Sequence, residues 1–453
     1  MYQTSTVKQK IRLFVIILFP IFMTQISMTL MNFFDTVMSG QSGAVDLAGV
    51  AIGSSLWVPV FTGVNGILLA ITPMISHLVG ANIKSQIPKT LQQGVYVSIL
   101  LAMVVILIGW LLLDPVLMMM DLDGEVRHVA KYYLVSLGTG IVPLFIFNTL
   151  RSFIDALGQT RLSMTILLLA LPVNIVLNYI FIFGKLGLPA FGGIGAGIAT
   201  SLTYYFICFV ASLILSKAKA FQDYQVLKNW SKPNTALWKE QLLLGIPIGL
   251  AIFFETSIFS AVTLLMSVYD TITIAAHQAA LNFANVLYMI PLSVGMALTI
   301  VVGFEVGAKR LKHARQYTYI GIGSGIFIAG FAGLILFLFN ETVANMYSSD
   351  PAVASMIVQF IYFAIIYQFA DAFGAPIQGA LRGYKDVNTT LIIALLSYWG
   401  IGLPTGWVLA NATSLGPFGY WVGIIAGLST GALALFTRLL FIQRKFSHNQ
   451  MDP

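Results

Sequence analysis

Twelve apolar runs, each near or above the roughly 20 residues a helix needs to cross a bilayer, succeed one another along 453 residues. They cover 11–38, 47–78, 90–114, 128–150, 162–183, 193–216, 240–268, 274–306, 318–340, 353–381, 388–410 and 418–440. Runs of that length suit bilayer-spanning helices, so the chain is expected to fold as an all-α integral membrane protein of twelve transmembrane helices. Composition agrees: 9% charged and mean hydropathy +0.87, against roughly a quarter charged in soluble domains. The first run exceeds a signal-peptide core and lacks a small-residue cleavage site, so it reads as a retained span. The single cysteine, Cys208, rules out an internal disulfide and reads as a small buried apolar residue.

Several runs exceed the minimum length and carry Pro20, Pro143, Pro247, Pro291 and Pro376, which kink a helix or mark an unwound segment. Basic residues orient the bundle, because cytoplasmic loops are rich in Lys and Arg. With both termini inside, only Arg127, Lys131 and Lys185 of the 24 basic residues fall outside. The formal charge of +7 is therefore topological, helped by anionic inner-leaflet lipid. With no basic soluble domain, nucleic acid is not an expected partner.

The hydrophilic stretch 216–240 divides the chain nearly in half. The expected ranges are an N-lobe at 1–220, a cytoplasmic linker at 221–239 and a C-lobe at 240–453. Pro20 with Pro247, Ala48 with Ala275, and Gly80-Ala81 with Gly307-Ala308 lie 227 apart, while Leu150-Arg151 and Asp155 match Leu381-Arg382 and Asp386 at 231. Six spans per half is an even number, so the two six-helix bundles are parallel repeats, related by an axis along the membrane normal.

Three carboxylates sit inside these runs: Asp35, Glu255 and Asp371. A bare carboxylate in hydrocarbon costs at least ~2.5 kcal/mol, so each requires a proton, a cation or a water-filled cavity and is a candidate coupling site. Glu255 is fifteen residues from both Glu240 and Asp270, about 22 Å of helix either way. Asp371 lies eleven residues before Arg382, roughly 16 Å deep. Oxygen-only carboxylate sites suit Na⁺ as a hard cation, while burial and a neighbouring carboxylate also favour a bound proton. No other energy source competes. The chain has no GxxxxGK[ST] phosphate loop, no HExxH helix and no GxSxG elbow, so it is not expected to be an enzyme or to need a cofactor.

The order and spacing of FFDTVMSGQSG in the first span, LRSFIDALGQTR after the fourth, PVNIVLNYIFIFG in the fifth, FFETS in the seventh and FADAFGAPIQGALRG in the tenth resemble the multidrug and toxic compound extrusion (MATE) transporters, NorM type, over essentially the whole chain. The resemblance implies a secondary active antiporter that exports cationic and amphiphilic drugs against Na⁺, or against H⁺, by alternating access. It further implies cation binding at Glu255 and Asp371 in the C-lobe, and a second ion or proton site at Asp35 completed by Asn174 and Asn178, with Thr200 a weaker addition. No metal is implied beyond Na⁺ at Glu255 and Asp371.

Aromatic faces attract organic cations and methionine adapts to varied shapes, so Phe33, Phe253, Tyr288, Met289 and Tyr367 are candidates for the substrate cavity. Arg151 with Asp155 and Arg382 with Asp386, each spaced i, i+4, read as structural or gating ion pairs. His77 and His277 read as packing residues. A lipid-linked oligosaccharide flippase of the same superfamily is the alternative, and it calls for a cationic cavity where this chain has acids. The expected setting is the bacterial cytoplasmic membrane, with membrane lipids around a functional monomer.

Overall fold

The computed structural model describes residues 3–448 except Asp121, Asn229 and Ser349, so the outermost residues of the two expected lobes, 1–2 and 449–453, lie outside it. The described residues form helices and no strand. Six spans precede the central hydrophilic stretch: α1 (Val7–Ser42), α2 (Ala44–Gly80), α3 (Lys84–Met119), the broken α4 (Gly124–Gly138 with Ile141–Ala156), α5 (Thr160–Phe183) and α6 (Gly193–Lys217). Six follow: α7 (Thr235–Val268), α8 (Thr271–Gly307), α9 (Leu311–Leu338), α10 (Pro351–Gly383), α11 (Asn388–Ala412) and α12 (Phe418–Phe446). Among the described residues eleven are long and apolar enough to cross a membrane as single spans, and the bent pair makes the twelfth.

Local chemistry accounts for the irregularities. The two parts of α4 meet at 50°. Pro143 has no N–H to offer the Thr139 carbonyl, and that carbonyl instead accepts from the Tyr205 hydroxyl of α6 at 2.9 Å. In α11, residues Leu395–Gly402 wind as a π-helix just before Pro404, which cannot donate to the carbonyl of Gly400. Hydroxyls inside the spans satisfy themselves on their own helix: Thr24 donates to the Pro20 carbonyl and Thr318 to that of Ala314, both at 2.9 Å. That leaves no unpaired hydroxyl donor buried at those positions.

The repeat is written into the helix ends. Asp123 and Asp350, 227 apart, each cap the helix that follows, accepting from Glu125 N–H at 3.0 Å and Ala352 N–H at 2.9 Å. Asn82 and Lys309 both terminate a helix with positive φ, 57° and 58°. Gly158 and Lys385, at 76° and 60°, do the same; each of these pairs is also 227 apart. The α4 and α10 ends, Ala156 and Gly383, keep that spacing, so the 231-residue register expected for Arg151/Arg382 and Asp155/Asp386 is corrected to 227. Asp155 then corresponds to Arg382.

Two compact units result, residues 19–249 and residues up to 18 together with 250 onward. The first takes in the whole central stretch, and residues up to 18 group with the second. In the first unit, Gln92 and Gln93 of α3 are 2% exposed and hold the hydrophilic segment. Gln92 donates to the Val226 carbonyl at 3.0 Å and accepts from Ser231 N–H at 2.9 Å, while Gln93 accepts from Asn234 N–H and from the Trp238 indole, both at 2.8 Å. The start of α7 therefore packs with the first six spans, its Gly249 against the Gly63 carbonyl of α2. In the second unit, the Thr4 hydroxyl and the Tyr317 hydroxyl are 2.9 Å apart, Arg310 donates to the Thr4 carbonyl and pairs with Glu305 at 3.3 Å, and Lys10 is fully buried.

Candidate functional site

In the first unit α1, α5 and α6 converge on Asp35, which is 4% exposed. The Asn178 amide donates to one carboxylate oxygen at 2.6 Å and the Thr200 hydroxyl to the other at 2.7 Å. Asn178 also donates to Asn174 at 3.2 Å, as their i, i+4 spacing on α5 permits. The four residues singled out in the sequence thus form one buried hydrogen-bonded cluster. Asp35 is satisfied as an acceptor by two neutral donors, and the Asn178 carbonyl oxygen and Asn174 amide nitrogen remain unpaired among the described residues.

The second unit treats its two acids unequally. Glu255 on α7 is 6% exposed and accepts a long 3.4 Å hydrogen bond from the Gln378 amide of α10. The other end of that amide accepts from the buried Arg382 guanidinium at 2.8 Å, so Gln378 bridges a buried anion and a buried cation. A small cavity beside Glu255 is lined by Gly374, Gln378, Tyr398 of the π-helical turn and Ala432 among others. It offers about 10 Å³ to the centre of a water, room for roughly one water or small ion.

Asp371 is 1% exposed, and neither of its oxygens has a hydrogen-bond partner among the described residues. It stands seven residues before Gln378, about 10 Å along α10, and no hydrogen bond joins the two acids. A carboxylate so placed must hold a proton or a cation, because an unpaired buried charge costs several kcal/mol.

The acids also differ in register. Asp35 follows Pro20 by fifteen residues and Glu255 follows Pro247 by eight, although the prolines themselves are 227 apart. Each is preceded by two phenylalanines in edge-to-face contact, Phe33–Phe34 and Phe253–Phe254, both with centroids 5.7 Å apart.

Of the aromatic candidates, Phe33 and Phe253 are exposed, at 56% and 38%, Tyr288 and Met289 are half-buried, and Tyr367 is buried against Phe259 with centroids 5.6 Å apart. His277 is fully buried between the Trp421 indole and the Thr263 hydroxyl, both at 3.1 Å. Since indole only donates, the ring nitrogen facing it must be unprotonated. Cys208 is half-buried.

The two expected ion pairs part ways. Arg151 and Asp155 pair at 3.6 Å within the second part of α4, with Ser163 donating to Asp155 at 2.7 Å. The expected pair of Arg382 with Asp386 is corrected: α10 ends at Gly383, so the i, i+4 geometry is lost. Asp386 instead accepts two hydrogen bonds from Arg438 of α12, at 2.6 and 2.9 Å. Double-mutant cycles read by thermal unfolding check this: Asp386→Asn with Arg438→Met should couple by about 1 kcal/mol or more. Asp386→Asn with Arg382→Met should couple by almost nothing.

Gln378 and Tyr398 had no signal of their own in the sequence, where an amide or phenol in a long helix looks like any other polar residue. The 227 register would have placed Gln378 opposite Arg151.

Comparison with known proteins gives a consistent picture. The MatE family profile matches twice, over residues 20–180 and 247–408, two starts that are again 227 apart. The chain is 66% identical over 445 residues to the probable multidrug resistance protein NorM of Oceanobacillus iheyensis, covering 98% of this chain and all of that one. It is 53% identical to the protein of the same description from Bacillus subtilis, covering 99% of this chain and all of the relative. Its fold is similar to the crystal structure of the Vibrio cholerae MATE transporter VcmN in the bent form, with TM-score 0.85 at 19% identity, covering 97% and 98% of the two chains. With both halves matched by one profile and relatives more than half identical end to end, the chain belongs to the MatE family of multidrug and toxic compound extrusion transporters.

Proposed function

We propose that this transporter exports cationic and amphiphilic drugs across the bacterial cytoplasmic membrane in exchange for Na⁺ taken up at Asp371, with Glu255 completing the negative field of the site. The observation that carries this reading is the unpaired state of both Asp371 oxygens in a fully buried position. The names of the relatives support drug efflux, and the basic residues gathered on one side support cytoplasmic termini. The chain works as a monomer in lipid, with no cofactor.

Coupling follows from differential affinity. Na⁺ binding at Asp371 stabilises the conformation that releases drug outward, and Na⁺ release to the cytosol restores drug affinity, so one ion gradient is exchanged for one drug gradient. Asp35 is the weaker ion candidate, because both its oxygens already have neutral donors. H⁺ at Asp371 is the second reading, favoured by the same unpaired oxygens.

Proteoliposomes separate the two. Efflux of an ethidium-like dye should follow an imposed Na⁺ gradient at constant pH and fail under a pH gradient without Na⁺. Export under the pH gradient alone would assign the site to protons, and export under neither would remove the antiporter reading.

A further inference from the structure

Gln368 lies on α10 three residues before Asp371 and is 0% exposed. Its amide nitrogen donates to the Leu287 carbonyl of α8 at 3.2 Å. Its carbonyl oxygen has no partner among the described residues. Residues i and i+3 share a helix face, so three buried oxygens, one from Gln368 and two from Asp371, stand on one face of α10 without a donor among them.

A buried acceptor without a donor costs about 1–3 kcal/mol, and a single proton on Asp371 supplies one O–H for one further acceptor. A cation satisfies several oxygens together. Asp371 lies within electrostatic reach of Glu255 and of Tyr288, Tyr367 and Tyr398. The guanidinium of Arg382, eleven residues after Asp371 on the same helix, is engaged with Gln378 at 2.8 Å. The bond to Leu287 fixes the plane of the amide, and with it the direction of the free oxygen.

We propose that Gln368 is the ion-selecting ligand of this site, its amide oxygen joining the Asp371 carboxylate on Na⁺. An amide oxygen ligates hard cations and carries no titratable proton near neutral pH. A proton on Asp371 can engage that oxygen by one hydrogen bond at most, whereas Na⁺ takes it and the carboxylate together, so Gln368 favours Na⁺. This inference rests on the reading of Asp371 as the coupling site.

The test uses the full-length purified protein with Na⁺ itself as the probe, at constant ionic strength with choline as the replacement cation. Na⁺ affinity is measured by isotope binding, and Na⁺-driven and pH-driven dye efflux are measured in proteoliposomes. Gln368→Met, close in size and lacking the oxygen, should weaken Na⁺ binding tenfold or more, about 1.4 kcal/mol, and Na⁺-driven efflux with it. Gln368→Glu keeps an oxygen at that point and should bind Na⁺ at least as tightly as wild type. Wild-type affinity in Gln368→Met overturns the proposal, and so does weakened binding in a folded Gln368→Glu if Gln368→Met proves unstable. A wild-type protein that binds no Na⁺ overturns the parent reading and this one with it, whereas Na⁺ binding abolished by Asp371→Asn but indifferent to Gln368 leaves the parent reading standing alone.

Discussion

Asp371→Asn should abolish Na⁺-driven export while leaving a folded transporter. The substitution removes the only group on its face of α10 that carries a full charge for the ion, a loss on the order of 3 kcal/mol or more, which is over a hundredfold in ion affinity. Stability moves the other way. In the ion-free wild type both oxygens lack donors and the acid must take up a proton to stay buried, a cost that the neutral Asn does not carry. The variant should therefore unfold at the same temperature as ion-free wild type or higher, and should lose the Na⁺-dependent rise in melting temperature, worth about 2.7 kcal/mol at a hundred times Kd. Melting curves with NaCl and with choline chloride check both halves. A variant that still exports in response to Na⁺ would take Asp371 out of the mechanism. Glu255→Gln makes the contrast: it strands Arg382, whose link to an anion runs through Gln378, so it should lower stability as well as transport.

The largest effect on folding is expected at Gly379. There α8 and α10 approach so closely that a β-carbon on Gly379 would overlap the backbone of Gly295, and the Thr299 hydroxyl of α8 donates to the Gly379 carbonyl at 2.9 Å. Small residues that let helix backbones meet are the main source of packing in lipid, where the hydrophobic effect does not pull helices together. Gly379→Val would push two backbones apart, not merely rotate a side chain. Overpacking of this kind exceeds the usual 1–3 kcal/mol, and the lost hydrogen bond adds roughly 1 kcal/mol. Little monodisperse protein should survive detergent extraction. Gly323→Val is the control, because a β-carbon there meets nothing within 4 Å, and its yield should match wild type. Equal yields for the two variants would refute the packing argument.

The spans were legible because a bilayer imposes one length and one polarity, and the apolar runs had no other use. The broken α4 was legible only as Pro143, since the bend depends on Tyr205 arriving from another helix to take up the freed carbonyl. The Asp35 cluster was legible through the resemblance, which joined Asn174, Asn178 and Thr200 to an acid that the apolar run alone marked only as costly. The Arg382–Asp386 pair was misread for the opposite reason: i, i+4 spacing has meaning only on a continuous helix, and the chain leaves the helix at Gly383. Contacts such as Thr4 with Tyr317, 313 residues apart, leave no local mark in a sequence. Gln368 was invisible because what distinguishes it is the missing partner of one atom.

The two-turn displacement between Asp35 and Glu255 within otherwise matched repeats has a geometric consequence. Seven residues at 3.6 per turn bring a side chain back to within about 20° of its starting direction while moving it roughly 10 Å along the axis. A repeated helix can thus slide its charge up or down without turning it toward lipid. Depth and facing are independent settings, so a repeated helix can carry its charge two turns nearer its proline while presenting the same face.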